Sequence, residues 1–374
     1  MKKLFFIDPM SINSLAYYDY NLLNNICGYD ITFIGNKQYN GSSFKNVTFN
    51  PLFSYSSKKN PIIKLLSYIR SLISIWCLIL KSRPDIVHIQ WIRVWILDYI
   101  LLSFIRMRGC NVVYTAHNLL PHDTGEKYYK QYKRYYKRVN KIIVHTQSSK
   151  ERLSEKFGIS LNKIDVIPHG ILSFPISEKE VNDCYQKIIQ DFKLSGKFVI
   201  TSLGIQCPYK GTDILVDLWS SEERFCKNDD LILLLIGKNK GIDYSKIECC
   251  KNVIIQDRFL DDTEFQAFIK ASSLVVLPYR EISQSGVLFS ALARRKPILV
   301  SDAGGLQDPL RIANVGWCMG EANRDNLYNY LKKLINDMET YREVANDSVS
   351  FEKIEHYYSW QSIGKQTTQL YNSL

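Results

Sequence analysis

The feature that most constrains the fold is an alternation between short, β-branched apolar runs and longer segments of helical periodicity. It extends along almost the whole chain. Such alternation indicates parallel sheets whose strands are joined by helical crossovers. It pauses between residues 169 and 195, where a connector and a polar helix are predicted, and then resumes. We therefore predict an α/β protein of two Rossmann-like, doubly wound domains that meet near residue 170 and face each other across a cleft.

The ends of the predicted strands indicate where a ligand would bind, because ligands of doubly wound sheets bind at the carboxyl ends of the strands. The predicted strands are Leu4–Ile7, Ile31–Ile34, Asp85–Gln90, Asn111–Thr115, Lys141–His145, Ile164–Pro168, Phe198–Leu203, Leu231–Ile236, Asn252–Ile255, Leu274–Leu277 and Pro297–Val300.

The positive charge of the chain is confined to one half. Residues 1–170 hold 24 Lys and Arg against 10 Asp and Glu, a net +14, whereas the remainder holds 24 against 27, a net −3. A one-sided field of this kind predicts an acidic partner for the N-terminal half, such as a membrane surface or a phosphorylated substrate. No nucleic-acid reading motif accompanies the charge, so a nucleic-acid partner is not expected.

The nine cysteines form no Cys-x-x-Cys pair and no metal-like spacing, which favours free thiols in a reducing compartment. At the N-terminus, Asp8 follows a short apolar run, which favours a first strand over an export signal. The apolar stretch 71–80 has only ten residues, between Arg70 and Lys81, so no membrane span is expected. We predict a cytoplasmic protein that lies at the inner face of the cell membrane.

Two loops of the C-terminal half each follow a strand and open a helix. The first holds Gly204, which permits close backbone approach to a ligand, and Lys210, a cation at a helix start. The second holds Glu281 and then Gln284-Ser285-Gly286, where free amides at a helix start could hold a phosphate. Either loop alone is equally compatible with an ordinary turn.

A third loop follows a strand of the N-terminal half and carries His117, Asn118 and His122. These side chains could contact sugar hydroxyls, or polarise a group or accept a proton. Hydrogen-bonded structural histidines would fit the same pattern.

Taken in order, these loops resemble the bacterial GT-B glycosyltransferases of the glycosyltransferase-4 type (group 1). The motifs that carry the resemblance are the Tyr209-Lys210-Gly211, Leu277–Arg280 with Gln284–Gly286, Lys296–Gly305, Asp85–Trp91, Val113–His122 and Val166–Gly170 segments. Together they span nearly the whole chain.

The resemblance implies a GT-B fold. Residues 1–169 would bind the acceptor, a C-terminal helix at 357–374 would pack back on that domain, and residues 170–356 would bind a nucleotide-sugar. Lys210 and the Gln284–Gly286 amides would then hold the diphosphate.

The implied reaction is transfer of a hexose from a UDP- or GDP-sugar to a glycan or lipid-linked acceptor in cell-surface polysaccharide synthesis. Retention of anomeric configuration is expected. Glu281 would lie near the donor sugar, and His117 near the reacting centre. Asn118 and His122 would lie on the acceptor side. No Asp-x-Asp or other metal-ligand cluster is present in the sequence, so no metal and no other cofactor are expected.

The chain departs from the family pattern at two places. Ser290 occupies the position where relatives carry an acidic residue that holds the ribose, and a hydroxyl would bind it more weakly. Many relatives have an arginine between the glycine and the Lys-Gly pair, whereas this chain has Ile205, Gln206 and Cys207 in that stretch. Arg258 and Arg280 are the candidates for the second diphosphate cation.

Residues 127–138 combine five tyrosines on one predicted helix face with lysines and arginines elsewhere. The pattern suits the interface of an anionic membrane, and it equally suits a tyrosine core face with a solvated basic face.

Two other functions fit the same fold: a nucleotide-sugar epimerase or hydrolase, and a non-catalytic, membrane-associated partner subunit. The departures at Ser290 and 205–207 motivate the second.

Overall fold

The structure is a computed structural model that describes residues 1–54, 60–120, 125–171, 176–282 and 285–374. The chain divides into two compact units. The first contains Met1–Gly170 together with Tyr358–Leu374, and the second contains Ile171–Tyr357.

In chain order the elements are β1 (Lys2–Ile7), α1 (Ser14–Leu23), β2 (Tyr29–Asn36), β3 (Val47–Phe53), α2 (Pro61–Ser82), β4 (Ile86–Ile89), α3 (Trp95–Met107), β5 (Asn111–Thr115), α4 (Tyr129–Arg138), β6 (Lys141–Val144), α5 (Gln147–Phe157), β7 (Ile164–Val166), α6 (Glu178–Asp191), β8 (Phe198–Leu203), α7 (Thr212–Ser221), α8 (Glu223–Cys226), β9 (Leu231–Ile236), β10 (Val253–Gln256), α9 (Asp262–Ala271), β11 (Leu274–Leu277), α10 (Gly286–Ala293), β12 (Ile298–Val300), β13 (Gly316–Cys318), α11 (Arg324–Asn336), α12 (Met338–Ala345), α13 (Ser348–Tyr357) and α14 (Trp360–Asn372).

The first unit is built on a parallel sheet of seven strands in the order β3-β2-β1-β4-β5-β6-β7. Successive residues of a strand point to opposite faces. Accordingly Phe5 and Ile7 join a core with α2, α3, α4 and α5, whereas Leu4 and Phe6 join a second core with α1 and α14. Both faces are therefore covered, which explains why the strands read as continuous apolar runs.

The last helix, α14, belongs to the first unit although it ends the chain. It packs against α1, and a Cβ atom at Gly364 would collide with the carbonyl oxygen of Asn25. At its far end Tyr371 is fully buried, and its hydroxyl bonds to Nδ1 of His88 on β4 at 2.5 Å. The helix therefore completes the core on one face of the sheet.

The second unit contains a parallel sheet of six strands in the order β10-β9-β8-β11-β12-β13. One face packs against α7 and α11. Helices α6 and α9 pack together, and α9 contacts β8. The predicted α/β architecture of parallel, doubly wound sheets is confirmed in both units.

Each sheet has one place where the strand order reverses. In the first unit it lies between β1 and β4, and in the second between β8 and β11. The connections from the two strands at such a place run in opposite directions, which opens a crevice at their carboxyl ends. Each unit therefore contains one favoured ligand position.

Some elements were not predicted. The edge strand β3 contains Pro51, which an edge strand tolerates because its N–H need not pair, and β13 is an edge strand of three residues. The helices α12 and α13 fill a stretch between two predicted helices. The proline in β3 and the shortness of β13 explain why these strands were not predicted.

The structure corrects one expectation about membranes and decides between two alternatives for part of the tyrosine face. The helix α2 has 22 residues and mean hydropathy 1.8, long and apolar enough to cross a membrane by length and composition. Lys64 and Arg70 lie within it, so the apolar stretch that was predicted as ten residues is part of a longer helix. In α4, Tyr135 and Tyr136 are fully buried against Tyr114 and Phe157, so these two tyrosines form core rather than a membrane face.

The loops that follow β8 and β11 touch through backbone. Gly211 has φ +68°, and a Cβ atom there would collide with the carbonyl oxygen of Pro278. The amide of Arg280 donates to the carbonyl oxygen of Tyr209 at 2.8 Å. Only glycine permits this approach, which fixes the two loops side by side.

This packing predicts that Gly211→Ala destabilises the second unit far more than Gly196→Ala. Both glycines have a left-handed φ (+68° and +72°), but a Cβ at Gly196 meets nothing within 4 Å. Gly196→Ala should cost about 1 kcal/mol of backbone strain, and Gly211→Ala at least about 2 kcal/mol more. Urea denaturation measures both. Equal losses would show that the two loops are not in contact.

Candidate functional site

The second unit brings Lys210 to the point where its strand order reverses. Lys210 follows β8, and Ser285 and Gly286 follow the neighbouring strand β11. Gly204 has φ +91°, and a Cβ atom there would lie 3.1 Å from Nζ of Lys210 and 3.6 Å from Cγ2 of Val287. The lysine ammonium, the glycine turn and the start of α10 therefore surround one position.

The ammonium of Lys210 is half-buried and lies over the ring of Tyr279, 5.3 Å from its centroid. Burial lowers the pKa of Lys210, because the charged form loses hydration. Within the described ranges, no carboxylate lies within ion-pair distance of its Nζ. A desolvated cation in this setting is stabilised by a bound anion.

The start of α10 supplies backbone donors to the same position. Ser285 is its N-cap, and the hydroxyl accepts a hydrogen bond from the amide of Leu288 at 3.4 Å. Gly286 is the first helical residue, so the amides of the first turn have no partner within the helix. Gln284 lies outside the described residues. The helix start and Lys210 thus form a site that attracts negative charge.

Sequence reasoning missed the role of Gln206, which it considered only as the replacement of an arginine. The buried amide of Gln206 donates to the carbonyl oxygens of Ser202, Gly204 and Ile236 at 2.9–3.2 Å. Its Oε1 accepts a hydrogen bond from the hydroxyl of Thr212 at 3.0 Å. Gln206 therefore fixes the glycine turn that Lys210 faces. In the sequence, the only sign of this role is that a side-chain amide follows a predicted strand.

The candidates for a second cation are both held by carboxylates. Arg258 forms a two-pronged ion pair with Glu264 at 2.6 and 2.7 Å, and it follows the edge strand β10, two strands from β8. Arg280 pairs with Asp213 in the same way, at 2.6 and 2.7 Å. Arg280 also follows β11 at the strand-order reversal, but its charge is paired with Asp213, whereas Lys210 has no carboxylate at ion-pair distance among the described residues.

The other predicted residues of the second unit differ in accessibility. Glu281 is exposed on the loop between β11 and α10. Ser290 is buried inside α10, and its hydroxyl has no hydrogen-bond partner in the part of the chain that the structure describes. A ribose could reach this hydroxyl only if the packing around α10 opened.

In the first unit, His117 belongs to a cluster of four histidines at the carboxyl ends of the strands. Its ring stacks on Trp91, with centroids 4.7 Å apart, and lies 5.0 Å from the ring of His145. His145 in turn lies 5.6 Å from His169. Burial lowers the pKa of His145 to about 3 and that of His169 to about 4, and it lowers the pKa of His117 well below its usual value. All three rings are therefore neutral at physiological pH.

The hydrogen bonds determine where the protons lie on these neutral rings. Nδ1 of His145 lies 2.9 Å from the carbonyl oxygen of Ile167, which can only accept, so Nδ1 carries the proton. Nε2 of His145 then accepts from Nδ1 of His117 at 3.1 Å. Nε2 of His117 is left as an acceptor, 2.8 Å from Oε1 of Gln90.

Oε1 of Gln90 faces Nε2 of His117, and Nε2 of Gln90 lies 3.0 Å from Nε2 of His88. Neutral rings with these tautomers require the Gln90 amide to be flipped, so that its N–H points to His117 and its oxygen to His88. Both nitrogens of His117 are therefore bonded within the protein. A proton could pass from a substrate to His117 only if Gln90 moved aside. The remaining predicted residues of this loop are Asn118, which is half-buried, and His122, which lies outside the described residues.

A carboxyl pair near the same strand ends was also missed. Asp8 directly follows β1 at the strand-order reversal, and Asp19 lies on α1. Both are buried, and the two carboxyls interact with each other, so that a proton on Asp19 can be donated to Asp8. Desolvation, and then the charge of Asp8, raise the pKa of Asp19 well above its usual value. The position of Asp8 at the end of a predicted strand was the available signal.

Among the described residues, no group of three or more His, Cys, Asp or Glu side chains could hold a metal ion. That the protein acts without a metal stays a prediction.

Comparisons with known proteins agree with this arrangement. The sequence model of Glycosyltransferase Family 4 matches residues 28–171, and that of Glycosyl transferases group 1 matches residues 197–337. The chain belongs to the GT-B, family 4-like glycosyltransferases. The first match covers the strands β2 to β7 of the first sheet, and the second covers the strands β8 to β13.

Two curated relatives align with part of this glycosyltransferase. A GDP-mannose:glycolipid 4-beta-D-mannosyltransferase of Xanthomonas campestris is 23% identical over 239 residues, which cover 59% of this chain and 62% of the relative. An uncharacterized glycosyltransferase of Methanocaldococcus jannaschii is 27% identical over 240 residues, 63% of this chain and 60% of the relative. The alignments thus span less than two thirds of each relative's length.

Solved structures confirm the GT-B fold of the glycosyltransferase. Anabaena HepE in complex with UDP superimposes with TM-score 0.72 at 16% identity, with all of both chains covered. Sucrose-phosphate synthase of Thermosynechococcus elongatus gives 0.71 at 15% identity, covering 100% of this chain and 99% of that one.

The buried carboxyl pair predicts that Asp19→Asn stabilises the first unit increasingly as pH rises. The folded-state pKa of Asp19 lies above the unfolded value, so the wild type loses stability as pH rises from about 4 through the folded pKa. The variant lacks this loss, which is at most about 1.4 kcal/mol per pH unit. Thermal unfolding at pH 5 to 8 measures the difference.

The exposed Asp30, on β2, provides the control for this prediction. Asp30→Asn should follow the wild type at every pH. An Asp19→Asn variant that is less stable than the wild type at pH 8 would show that the carboxylate is needed in its ionised form.

Proposed function

We propose that this glycosyltransferase moves a hexose from a UDP- or GDP-sugar to a glycan or lipid-linked acceptor in bacterial cell-surface polysaccharide synthesis, with retention of configuration. The donor binds to the second unit and the acceptor to the first. The observation that carries the proposal is the desolvated ammonium of Lys210, beside the glycine turn and the start of α10, where the strand order reverses. A diphosphate matches this site in charge and position.

The donor site explains how the reaction is accelerated. As the bond between the anomeric carbon and the diphosphate oxygen breaks, negative charge grows on the leaving group. Lys210 and the amides of the first turn of α10 stabilise that charge from fixed positions, and the packing of Gly211 against Pro278 holds them there. No metal or other cofactor is proposed for this step.

The sugar is oriented by side chains around it. Glu281 is exposed on the loop that leads to α10, and its carboxylate accepts hydrogen bonds from hydroxyls of the donor sugar. On the acceptor side, Asn118 and His122 contact sugar hydroxyls, and His117 lies beside them. Because both ring nitrogens of His117 are bonded within the protein, we assign it a positioning role rather than that of a base.

The proteins that resemble this chain support a nucleotide-sugar donor. HepE has been crystallised with UDP and with UDP-glucose, and the Xanthomonas relative bears the name of an enzyme that uses GDP-mannose. The two names differ in the nucleotide, so both UDP and GDP belong in the first experiment.

Donor binding predicts that Lys210→Met weakens UDP or GDP binding by about ten- to a hundredfold, the effect of losing one hydrogen bond to a charged group. The transfer rate should fall at least as much, because the lost charge also stabilises the leaving group. Lys240→Met, on the exposed loop after β9, is the matched control and should bind as the wild type does. Titration calorimetry and sugar-transfer assays measure the two quantities.

The same assays test the alternatives. Nucleotide release without acceptor, at a rate that acceptors leave unchanged, would favour a hydrolase. Wild-type protein that binds neither nucleotide would contradict the proposal and favour a non-catalytic subunit.

We further propose that the protein works at the cytoplasmic face of the membrane, bound through α2 and α3. These two helices pack together, and they expose a ridge of large apolar side chains: Ile62, Ile63, Leu66, Ile73, Leu80, Ile96, Ile100 and Met107. Residues 54–110 contain nine lysines and arginines and two aspartates, a net +7. An apolar face with a basic surround matches an anionic bilayer interface.

Association at the interface is favoured over a span, because α2 also contributes to the core of the first unit. Leu72, Ile75 and Ile79 are buried with the strands β1, β4 and β5. Crossing a bilayer would remove these side chains from the core at a cost of several kcal/mol.

This membrane proposal predicts that the pair Ile63→Glu and Leu66→Glu abolishes sedimentation with anionic vesicles. Val349→Glu, which replaces a side chain of equal or greater exposure in the second unit, should leave sedimentation unchanged. Wild-type binding should be lost with purely zwitterionic vesicles and in high salt. Sedimentation that ignores lipid charge, or that survives both glutamates, would contradict it.

A further inference from the structure

A basic cavity of about 390 Å³ lies in the second unit, at the amino ends of β8, β11 and β12. The chain after residue 170 holds 24 Lys and Arg against 27 Asp and Glu, a net −3, so positive charge is not a general property of this half. The cavity is a local exception. None of the described residues that line it is acidic, whereas four are cations: Lys197, Lys270, Arg295 and Lys296.

The four cations differ in their partners. Three are bonded to side chains outside the lining: Lys197 to Asp230, Arg295 to Glu355, and Lys270 to Asn182. The fourth, Lys296, lies in the turn between α10 and β12 and is half-buried. Over the described ranges of the chain, no carboxylate lies within ion-pair distance of its Nζ. The positive charge of Lys296 is therefore not balanced within the protein.

The surroundings of Lys296 make a bound anion favourable. Burial, and then the charges of Lys270 and Arg294, lower the pKa of Lys296 to about 8. A lysine that has lost hydration and lies near like charges is stabilised by a negative group. In this respect Lys296 resembles Lys210, although the two lie at opposite ends of the same sheet.

Hydrogen bonds hold the cavity in shape. The hydroxyl oxygen of Ser273 accepts from the amide of Val199 at 3.0 Å, and its carbonyl oxygen accepts from the hydroxyl of Tyr341 at 2.9 Å. These bonds join the segment after α9 to β8 and to α12. The cavity is therefore formed without a ligand.

The size and lining of the cavity restrict what it can bind. A volume of about 390 Å³ lies within the range of small-molecule sites and suits a molecule larger than a bare phosphate ion. The lining also contains three serines and two tyrosines, which favour a remainder that carries hydroxyl groups over a hydrocarbon. The expected ligand is a small, hydroxylated molecule with one phosphate group.

We propose that this cavity binds a small phosphomonoester of the sugar-phosphate class, with its phosphate at Lys296. The site is separate from the candidate donor site, because Lys210 follows the carboxyl end of β8, whereas Lys296 precedes the amino end of β12. The proposal is independent of the proposed function, since it adds a second anion site that neither donor nor acceptor occupies.

The test uses the full chain without nucleotide. Titration calorimetry at pH 7 compares ribose 5-phosphate, ribose and inorganic phosphate. We expect ribose 5-phosphate to bind at least tenfold more tightly than ribose, the effect of a hydrogen bond to a charged group. Inorganic phosphate should bind more weakly than ribose 5-phosphate, because it leaves most of the cavity unfilled. Equal affinity for any two of these probes would overturn the assignment.

Three variants with matched controls locate the binding. Lys296→Gln should weaken ribose 5-phosphate binding at least about tenfold, whereas Lys332→Gln, which replaces a half-buried lysine of α11 outside the lining, should not. Ser195→Glu adds a negative charge at the exposed edge of the cavity and should weaken binding as well, whereas Ser220→Glu, exposed on α7, should not. Lys210→Met should bind ribose 5-phosphate as the wild type does.

Two outcomes would overturn the proposal. Loss of binding in Lys210→Met would place the phosphate in the candidate donor site. Wild-type binding in both Lys296→Gln and Ser195→Glu would place it elsewhere, and would show that the cations only balance the carboxyl ends of α9 and α10.

The dependence on pH gives a second measurement of the role of Lys296. The charged and titratable groups around it are Lys197 before β8, Tyr185 on α6, Lys270 on α9, Arg294 and Arg295 after α10, and Tyr341 on α12. A phosphomonoester stays largely dianionic from pH 7 to pH 9. Wild-type affinity should therefore fall about fivefold over this range, as Lys296 loses its proton, and that of Lys296→Gln should not. Equal pH dependence in the two proteins would contradict the assignment.

Discussion

The contact between the loops after β8 and β11 is the constraint on which the candidate donor site depends. The strand order of the second sheet reverses between these strands, so their loops diverge and leave a crevice. Gly211 nevertheless brings its backbone against the carbonyl of Pro278, which only a residue without a Cβ can do. The contact fixes Lys210 beside the start of α10, and Gln206 fixes the glycine turn opposite.

The two units use the same topology for different chemistry. In the second, the strand-order reversal concentrates positive charge from one lysine and one helix start. In the first, the corresponding strand ends carry neutral histidines and a buried carboxyl pair, whose pKa values are shifted by burial. A site of neutral donors and acceptors suits sugar hydroxyls, and a positive site suits a diphosphate. This division of chemistry is consistent with an acceptor unit and a donor unit.

Much of the fold was predictable from the sequence, because buried parallel strands are continuous apolar runs. The strands β5, β8, β9 and β11 have the predicted bounds. The edge strands β3 and β13 were missed, since β3 contains Pro51 and β13 has only three residues. Lys210 and Ser285 were predictable as site candidates because each follows a strand and precedes a helix.

What the sequence could not show is which partners a side chain meets. Gln206 occupies a position considered for ligand binding, yet its amide bonds three backbone carbonyls. Arg258 and Arg280 are equally basic in the sequence, but each is paired with a carboxylate. Asp8 was used only to argue against an export signal, because its neighbour Asp19 comes from another element. These roles arise from tertiary contacts that no local pattern encodes.

The central claim is that Lys210 and the start of α10 bind the diphosphate of a nucleotide-sugar. A crystal structure of the full chain with UDP or GDP tests it most directly. The account predicts diphosphate oxygens within about 3 Å of Nζ of Lys210 and of the first-turn amides of α10, the range of charge-assisted hydrogen bonds. A nucleotide bound at the strand ends of the first unit, or in the second unit away from Lys210, would contradict the account.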